Sequence, residues 1–384
     1  MNENGPIHVQ ALRARQDLQA WPDEAGLDVQ VFGADAFDGL AWPRAADLGP
    51  WQGFVYQTRE FLELWMETIG LARGSDCRFV VVSGPGGQPL MYLPLCLERR
   101  LSTRLLRFMD GGVSDYNGPL VRTGWQPAPG AFPAIWKLIL ARLPSFDAVE
   151  LRKIVSHVGG IPNPLAQLPR PGSADIGQVV EFDGTWESYV ADPSRHNYHR
   201  VSRRKLRALQ RRGTVAFSTV TAPAETDEVR TFLFQHKRQQ YLRTIGDDVF
   251  ALPGYTAFFE RMSSPPLLGG IGYLSVLRCD RDIVAAHLGY RTADRFYQIM
   301  PAYDAERYAS ASGGRLLLEH LLRESFSDRL TAFDFGEGRE AYKRVWATRQ
   351  LELSIYARGR TFKGRLALQL NQARRTRREK KPKA

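Results

Sequence analysis

The sequence predicts an α/β (α+β) fold in which two similar domains, each with a mixed central sheet, follow one another along the chain. Strand-like and helix-like segments alternate throughout, which is typical of α/β proteins. The same order of elements occurs twice, as helix, hairpin, third strand, polar elbow, helix and strand. With 384 residues, 43% of them hydrophobic, the chain is long enough to form two cores.

The first domain is expected at residues 27–177, after a poorly ordered segment at 1–26. Alternating apolar residues predict its strands, and apolar residues three and four apart predict its helices. These elements are a strand at 27–32, a helix at 58–70, a hairpin at 78–83 and 90–97, a strand at 105–109, an elbow at 110–118, a helix at 131–143 and a strand at 148–151. Pro and Gly are frequent at 159–177, which we interpret as a linker.

The second domain is expected at residues 178–366, before a basic C-terminal tail at 367–384. A polar turn that ends at Tyr342 and Lys343 is expected after its strand at 331–335. The other predicted elements are strands at 178–182, 215–220, 273–277, 283–290, 295–300 and 351–356, helices at 185–191, 198–212, 225–241, 255–262 and 315–326, and an elbow at 309–315.

The net charge of +11 is concentrated in two segments. Residues 195–212 carry eight Lys or Arg and no acid, and residues 374–384 carry seven and one Glu. The first segment contains the helix at 198–212, and the second is expected to be a disordered arm. Both favour peripheral contact with an anionic membrane; tRNA phosphates, the 3′-phosphate of coenzyme A or a solvated face are the alternatives for the helix.

The sequence contains no run of 18 apolar residues, and its first ten residues do not resemble a signal peptide. Cys77, Cys96 and Cys279 are odd in number and widely spaced, which favours neither a disulfide framework nor a zinc site. Sequence patterns of metal, nucleoside triphosphate and dinucleotide sites are not found. We expect a cytoplasmic protein without a metal, peripheral to the inner membrane surface.

The elbow at 309–315 is a candidate binding site, because Ser312, Gly313, Gly314 and Arg315 open directly into an apolar helix. First-turn N–H groups have no partner inside their helix, and adjacent glycines allow a ligand to approach the backbone closely. Such helix ends bind anions, above all phosphates. The alternative is a Ser-capped turn that binds nothing.

Six short segments carry a resemblance to a known family: 114–117, 197–213, 234–238, 284–290, 301–304 and 333–343. In their order and spacing the sequence resembles the GNAT acyltransferases. The paired arrangement resembles FemAB-type double-GNAT proteins and their CelD/BcsL-type acetyltransferase relatives. The resemblance covers most of the chain, from about residue 54 to 356, and implies two tandem GNAT-like domains.

The resemblance implies that an acyl-CoA, carrying an acetyl or a longer group, binds between two splayed strands of the second domain. Its pyrophosphate would lie at the amides around Ser312, Gly313, Gly314 and Arg315. The glycine-spaced loop of GNAT enzymes is reduced here to the two glycines. A carrier-protein thioester, or an aminoacyl-tRNA as some FemAB relatives use, is therefore an alternative donor.

Acyl transfer to an amine needs a base for the amine, a donor for the oxyanion and an acid for the leaving thiolate. His287, within a strand, is a candidate base, and a core histidine is the alternative. Tyr303, before the elbow, is a candidate acid, or a turn tyrosine. Asp334 is a candidate base or a site for the acceptor ammonium, or else it caps a turn or pairs with Lys343.

Four residues are candidates for binding the acceptor. An acid at Asp115 would repel pyrophosphate, so the first domain is interpreted as a degenerate copy whose Asp115 and Tyr116 form an acceptor wall, an Asx-turn being the alternative. Lys343 would contact a phosphate or a carboxylate, or lie at the surface. His236 is placed on a helix, where a structural role is the alternative.

Together these features predict an acyl-CoA-dependent N-acyltransferase that acts on a primary amine of a cell-envelope molecule. The acceptor is either an amino sugar of a polysaccharide precursor or a long-chain lipid amine such as a sphingoid base. The alternatives are a FemAB-like aminoacyl-tRNA-dependent transferase and a non-catalytic binding protein with the same fold.

Overall fold

In the residues that the structure describes, the first half contains nine strands and three α-helices. The computed structural model describes residues 26–169, 172–244, 246–264 and 267–379. The strands of this half are β1 Asp28–Phe32, β2 Trp51–Gln52, β3 Asp76–Ser83, β4 Pro89–Arg100, β5 Thr103–Phe108, β6 Leu120–Arg122, β7 Ala148–Val155, β8 His157–Val158 and β9 Ile161–Pro162. The helices are α1 Arg59–Trp65, which continues through a π-turn at Met66–Gly70 into α2 Leu71–Arg73, and α3 Phe132–Arg142.

The second half repeats this order of elements and adds further helices. Its strands are β10 Gly172–Glu181, β11 Val215–Thr219, β12 Gly272–Cys279, β13 Asp282–Arg291, β14 Arg295–Tyr303, β15 Ala332–Glu337 and β16 Arg349–Gly359. Its helices are α4 Trp186–Ala191, α5 Pro193–Gln210, α6 Pro223–Thr244, α7 Tyr255–Met262, α8 Gly313–Ser327, α9 Ala341–Trp346 and α10 Phe362–Glu379. The predicted α/β fold with mixed sheets is confirmed.

Three local predictions are wrong. Residues 159–177 are not all linker, because β10 begins at Gly172, where it already pairs with β16. Lys343 lies on α9 instead of a polar turn. Residues 374–379 continue α10 instead of forming a disordered arm. Residues 380–384 and the predicted N-terminal segment, except for Gly26, lie outside the described residues.

One sheet of 14 strands runs through both halves. Its order is β1-β3-β4-β5-β7-β16-β10-β15-β14-β13-β12-β11; β6 also pairs with β4, and β2 pairs with β6. Strand β16 lies between the halves and pairs antiparallel with β7 on one side and with β10 on the other. The predicted boundary at 177 falls inside β10, so the two half-sheets share their central strands.

Two pairs of neighbouring strands run parallel, and each pair separates after a few residues. Strands β14 and β15 pair over Arg295–Tyr297 and Ala332–Asp334, and β5 and β7 pair only at two positions. Beyond Tyr297, β14 remains paired with β13, and β15 remains paired with β10 up to Glu337. Because each strand is held by its outer neighbour, a gap stays open between β14 and β15.

A hydrogen-bond network centred on Asp334 joins the two halves. The buried Asp334 carboxylate accepts hydrogen bonds from Tyr116 Oη at 2.7 Å, from Arg295 at 2.9 Å and from the Gly336 N–H at 2.9 Å. Tyr116 belongs to the first half and is fully buried. Aromatic contacts support the same junction, because Tyr56 packs against Tyr297 with ring centroids 5.8 Å apart.

We expect Tyr116→Phe to lower the free energy of unfolding by about 1–3 kcal/mol, because it removes one donor from a buried carboxylate. Urea unfolding followed by circular dichroism measures the change. Tyr303→Phe is the matched control, since Tyr303 is 43% exposed, and a change within about 0.5 kcal/mol is expected there. Equal stability of the two variants would contradict the bridging role of Tyr116.

Candidate active site

The gap between β14 and β15 opens into a cavity of about 700 Å³. The unpaired edges of both strands line it, beginning at Gln298 on β14 and at Phe335 on β15. Helices α6 and α7 form one wall, and the start of α8 forms another. The first half contributes a third wall, which includes Asp115 and Lys153. The cavity therefore lies where the two halves meet.

The N-terminus of α8 reaches this cavity, as the sequence predicts for the elbow. Ser312, Gly314 and Arg315 line the cavity, and Gly313 lies directly behind them. Ser312 has left-handed backbone angles, with φ 55°, and its side chain makes no capping hydrogen bond. In the described part of the chain, the N–H groups of Gly313 and Gly314 have no hydrogen-bond partner. These N–H groups are suited to an anion.

Both glycines are required by close packing. A Cβ atom at Gly313 would lie 2.6 Å from Val284 Cγ1 of β13, and one at Gly314 would lie 2.9 Å from Tyr303 Cδ1. Tyr303 ends β14 and lines the cavity beside Gly314. The structure therefore brings the candidate acid and the candidate anion site together.

His287 and Asp334 are not brought into the cavity. His287 is 1% exposed, and neither ring nitrogen forms a hydrogen bond with any described residue. Burial, with a smaller effect of the Lys237 charge, lowers the pKa of His287 to about 3. Asp334 is held by Tyr116 and Arg295 behind the point where the strands separate, and burial raises its pKa although Arg295 opposes this.

Two of the four candidate acceptor residues line the cavity. Asp115 accepts hydrogen bonds from Tyr56 Oη at 2.8 Å and from the Glu337 N–H at 3.0 Å. Lys343 Nζ donates to the Glu337 carbonyl at 2.7 Å and lies 3.2 Å from Glu340 Oε2. Tyr116 is buried next to the cavity wall.

His236 is not among the lining residues. It packs against Phe232 on α6, with ring centroids 4.2 Å apart.

Lys237 also lines the cavity and is not among the site residues predicted from the sequence. It is buried on α6, and its Nζ lies 4.9 Å from the ring centroid of Tyr241. Within the described ranges it forms no ion pair. Burial, followed by the nearby Lys343 charge, lowers the pKa of Lys237 to about 8. The sequence does contain a sign of its burial, because Lys237 follows Val229 and Leu233 at four-residue spacing on the buried face of α6.

Acidic groups also line the cavity. Asp115, Glu337 and Glu340 lie there, together with Lys153, whose Nζ is 3.2 Å from Glu337 Oε2. Burial raises the pKa of Glu337, and Lys153 opposes this effect. The cavity thus combines hydrogen-bond donors for an anion with carboxylates, which suits a phosphate-bearing donor and an amine acceptor.

The described residues contain no group of three or more His, Cys, Asp or Glu side chains placed to hold a metal ion. In the same residues, no helix is both long enough and apolar enough to cross a bilayer.

Residues 196–344, from α5 to α9, match the acetyltransferase (GNAT) domain family. The matched segment contains β14, β15, α8 and every second-half residue discussed for the cavity. This segment of the second half is therefore a GNAT-type domain. The prediction of an acyltransferase is confirmed.

Similarity to solved structures extends over both halves. FemX matches with a TM-score of 0.55 and 12% identity, covering 88% of this chain and 96% of that chain. A conserved protein of unknown function from Bacteroides thetaiotaomicron VPI-5482 matches with a TM-score of 0.50 and 12% identity, covering 84% and 95%. At this identity the similarity is one of fold. The GNAT-fold protein therefore has a FemAB-like double-domain architecture. A search of curated proteins finds no match.

We expect the free energy of unfolding to fall more in the wild-type protein than in His287→Gln when the pH is lowered from 7.5. The folded pKa of His287 is about 3 and that of an unfolded histidine is about 6.5, so the unfolded chain binds the extra proton. The loss begins near pH 6.5, reaches about 2 kcal/mol at pH 5 and levels off below about pH 3.

Urea unfolding at pH 7.5, 6 and 5 measures this loss, with exposed His157→Gln as the control. If the stability of His287→Gln depended on pH as that of the wild type does, His287 would not be held neutral in the folded protein.

Proposed function

We propose that this protein is an acyl-CoA-dependent N-acyltransferase that acylates a primary amine of a cell-envelope molecule. The observation that carries the proposal is the open gap between β14 and β15 with the free N–H groups of Gly313 and Gly314 at one end. The pyrophosphate of the donor would accept hydrogen bonds from these N–H groups, and Arg315 would add a positive charge. The unpaired strand edges would bind the amide groups of the pantetheine.

The acceptor amine would enter from the side of Asp115 and Glu340, whose carboxylates attract an ammonium group. Lys237 in its neutral form would then take a proton from the amine, directly or through a water molecule, because its pKa of about 8 is near the working pH. The amine nitrogen forms a bond to the thioester carbon, and the carbon–sulfur bond breaks. Tyr303 would donate a proton to the leaving thiolate.

The class of acceptor within this proposal is an amino sugar of a polysaccharide precursor or a long-chain lipid amine such as a sphingoid base. The apolar side chains of Phe259, Ile299 and Leu318 line the cavity and would tolerate an alkyl chain. Mass spectrometry of the products formed from acetyl-CoA and long-chain acyl-CoA with glucosamine and sphinganine separates the two classes. Absence of product with every pair would count against both.

An aminoacyl-tRNA is the second candidate donor, and the position of α5 supports it. This helix carries basic residues and reaches the cavity through Tyr198, over which the Arg315 guanidinium lies at 4.7 Å. Lys205 on the same helix donates a hydrogen bond to the Ser310 carbonyl at the elbow. Transfer of a labelled amino acid from tRNA to product, with none from acyl-CoA, would select this candidate.

Peripheral contact with an anionic membrane also belongs to the proposal. Phe362, Leu366 and Leu370 are exposed at four-residue intervals on α10, whose composition is basic. A basic helix with an apolar face is typical of membrane-surface helices. Sedimentation with phosphatidylglycerol vesicles at low salt tests this contact, and failure to sediment would exclude it.

We expect acetyl-CoA to bind the wild-type protein and Gly314→Val to weaken that binding by about tenfold or more, because the side chain would fill the space between α8 and Tyr303. Isothermal titration calorimetry measures the affinity. Gly49→Val is the matched control, since no atom lies within 4 Å of a Cβ at Gly49. Wild-type affinity in Gly314→Val, or no binding of any acyl-CoA to the wild type, would refute the assigned donor site.

We expect Lys237→Met to lower kcat by about 100-fold and to abolish the rise of kcat with pH near pH 8, because it removes the proposed base. The affinity for acyl-CoA should change by less than about twofold. The rate of coenzyme A release, measured with the identified amine at several pH values and acyl-CoA concentrations, gives kcat and the dependence on acyl-CoA. Exposed Lys137→Met is the control. A pH profile that keeps its rise in Lys237→Met would assign the base to another group.

A further inference from the structure

A second cavity, of about 690 Å³, opens in the first half of the chain. It lies where the parallel strands β5 and β7 separate after pairing at Leu105–Leu106 and Ala148–Val149. This position corresponds to that of the candidate active site, which lies where β14 and β15 separate. The elbow after β5 borders the cavity through Gly111 and Gly112, both with positive φ. The same geometry has therefore produced a cavity in each half.

The lining of this second cavity is strongly basic, with seven Arg or Lys side chains and three acids. The acids are already engaged. Glu98 and Glu150 both pair with Arg107, at 2.9 and 2.5 Å, and Asp110 pairs with Lys153 at 3.2 Å. The remaining positive charge is thus not neutralised by the cavity's own carboxylates.

Three arginines of the cavity form no ion pair with any described residue: Arg100, Arg152 and Arg374. The Nε atoms of Arg107 and Arg152 are buried and have no hydrogen-bond partner in the described ranges. A buried donor without a partner costs free energy, and the negative charge of a phosphate nearby would offset part of that cost. Desolvation, followed by the nearby Arg107 charge, lowers the pKa of Arg100, and the charges of Glu98 and Glu150 oppose this effect.

We infer that this first-half cavity is a second ligand site, which takes a phosphate-bearing anion between Arg100 and Arg152. Guanidinium groups bind phosphate oxygens in pairs, with geometry that suits phosphate better than a single point charge does. The volume exceeds what one phosphate needs, so a pyrophosphate or a nucleoside diphosphate fits the site. The inference rests on this cavity, whose lining also includes Leu252 and residues of α10, and it does not depend on the proposed acyltransferase reaction.

The second site adjoins the candidate active site at Lys153 and Gly112, which line both cavities. Lys153 has φ 60°, which is uncommon for a residue with a side chain. Its buried Nζ donates to the Ser114 carbonyl at 2.6 Å and lies 3.2 Å from Asp110 and from Glu337. This side chain separates the two cavities, so a ligand of the second site ends beside the acceptor side of the first.

Isothermal titration calorimetry with pyrophosphate on the full chain tests the inference. We expect wild-type binding, a loss of affinity of about tenfold or more in Arg100→Gln/Arg152→Gln, and affinity within about twofold of wild type in Arg142→Gln/Arg281→Gln. The control pair removes the same charge from exposed positions outside both cavities. Arg315→Gln reports separately on anion binding at the start of α8, where the proposed donor pyrophosphate would lie, and Arg100→Gln/Arg152→Gln should lower the affinity in the Arg315→Gln background as well.

Two results would overturn the inference: no binding of pyrophosphate to the wild type, or binding that Arg315→Gln lowers while Arg100→Gln/Arg152→Gln does not. The second result would place the anion at α8. Because Arg100 is exposed, Arg100→Glu is compatible with folding and decides the question if the double variant is unstable. Retention of wild-type affinity in Arg100→Glu would equally reject the site.

The source of the phosphate group is identified by two further probes. A soluble nucleotide-type ligand is supported if uridine diphosphate binds the wild type more tightly than pyrophosphate does and Arg100→Glu lowers the affinity for both. A lipid headgroup is supported if the wild type binds phosphatidylglycerol vesicles, pyrophosphate releases them, and Arg100→Glu does not bind them. If either probe bound Arg100→Glu as tightly as it binds the wild type, that result would contradict the site.

Discussion

The short parallel pairing of β14 with β15 is the constraint on which the candidate active site depends. Pairing ends at Tyr297 and Asp334. Beyond this point Pro301 of β14 has no N–H to donate, and Gly336 of β15 takes a positive φ of 69°. The outer neighbours continue to hold both strands, so the sheet cannot close the gap. The cavity, the start of α8 beside it and the exposed strand edges all follow from this interruption.

The two halves show how one geometry acquires different chemistry. In each half a parallel pair separates and an elbow borders the resulting cavity. In the second half the elbow leads directly into α8, so free N–H groups face the cavity. In the first half the elbow is closed by its own hydrogen bonds, with Asp110 accepting from Gly112 and Asn117. Anion binding there has to come from side chains, which explains why arginines dominate that lining.

The sequence predicted the elements and the elbow well, because these depend on local spacing. Apolar periodicity located most strands and helices, and the Gly313–Gly314 pair marked the close approach of α8 to β13 and β14. It could not predict the insertion of β16 between the halves, since that pairing joins residues distant in the chain. It also could not place His287, because a single strand position leaves either face of the sheet open.

Lys237 and Lys343 illustrate the same limit for the site. A lysine on a helix is usually exposed, and both become buried here only because several elements converge on the cavity. Asp334 was expected at the site because it ends a strand, but its neighbours Tyr116 and Arg295 come from elsewhere in the chain and engage it. Side chains at the meeting point of two halves are the least predictable from local sequence.

The position of β16 has a consequence for how the protein is made. During synthesis β7 emerges early, whereas its partner β16 follows only after residues 156–348 have been translated. Until then one edge of the first half-sheet has unsatisfied backbone groups, and such edges attract other strands. Neither half can complete its sheet before the other has emerged from the ribosome. The protein is thus one folding unit made of two similar architectures, and the halves acquire their final order together.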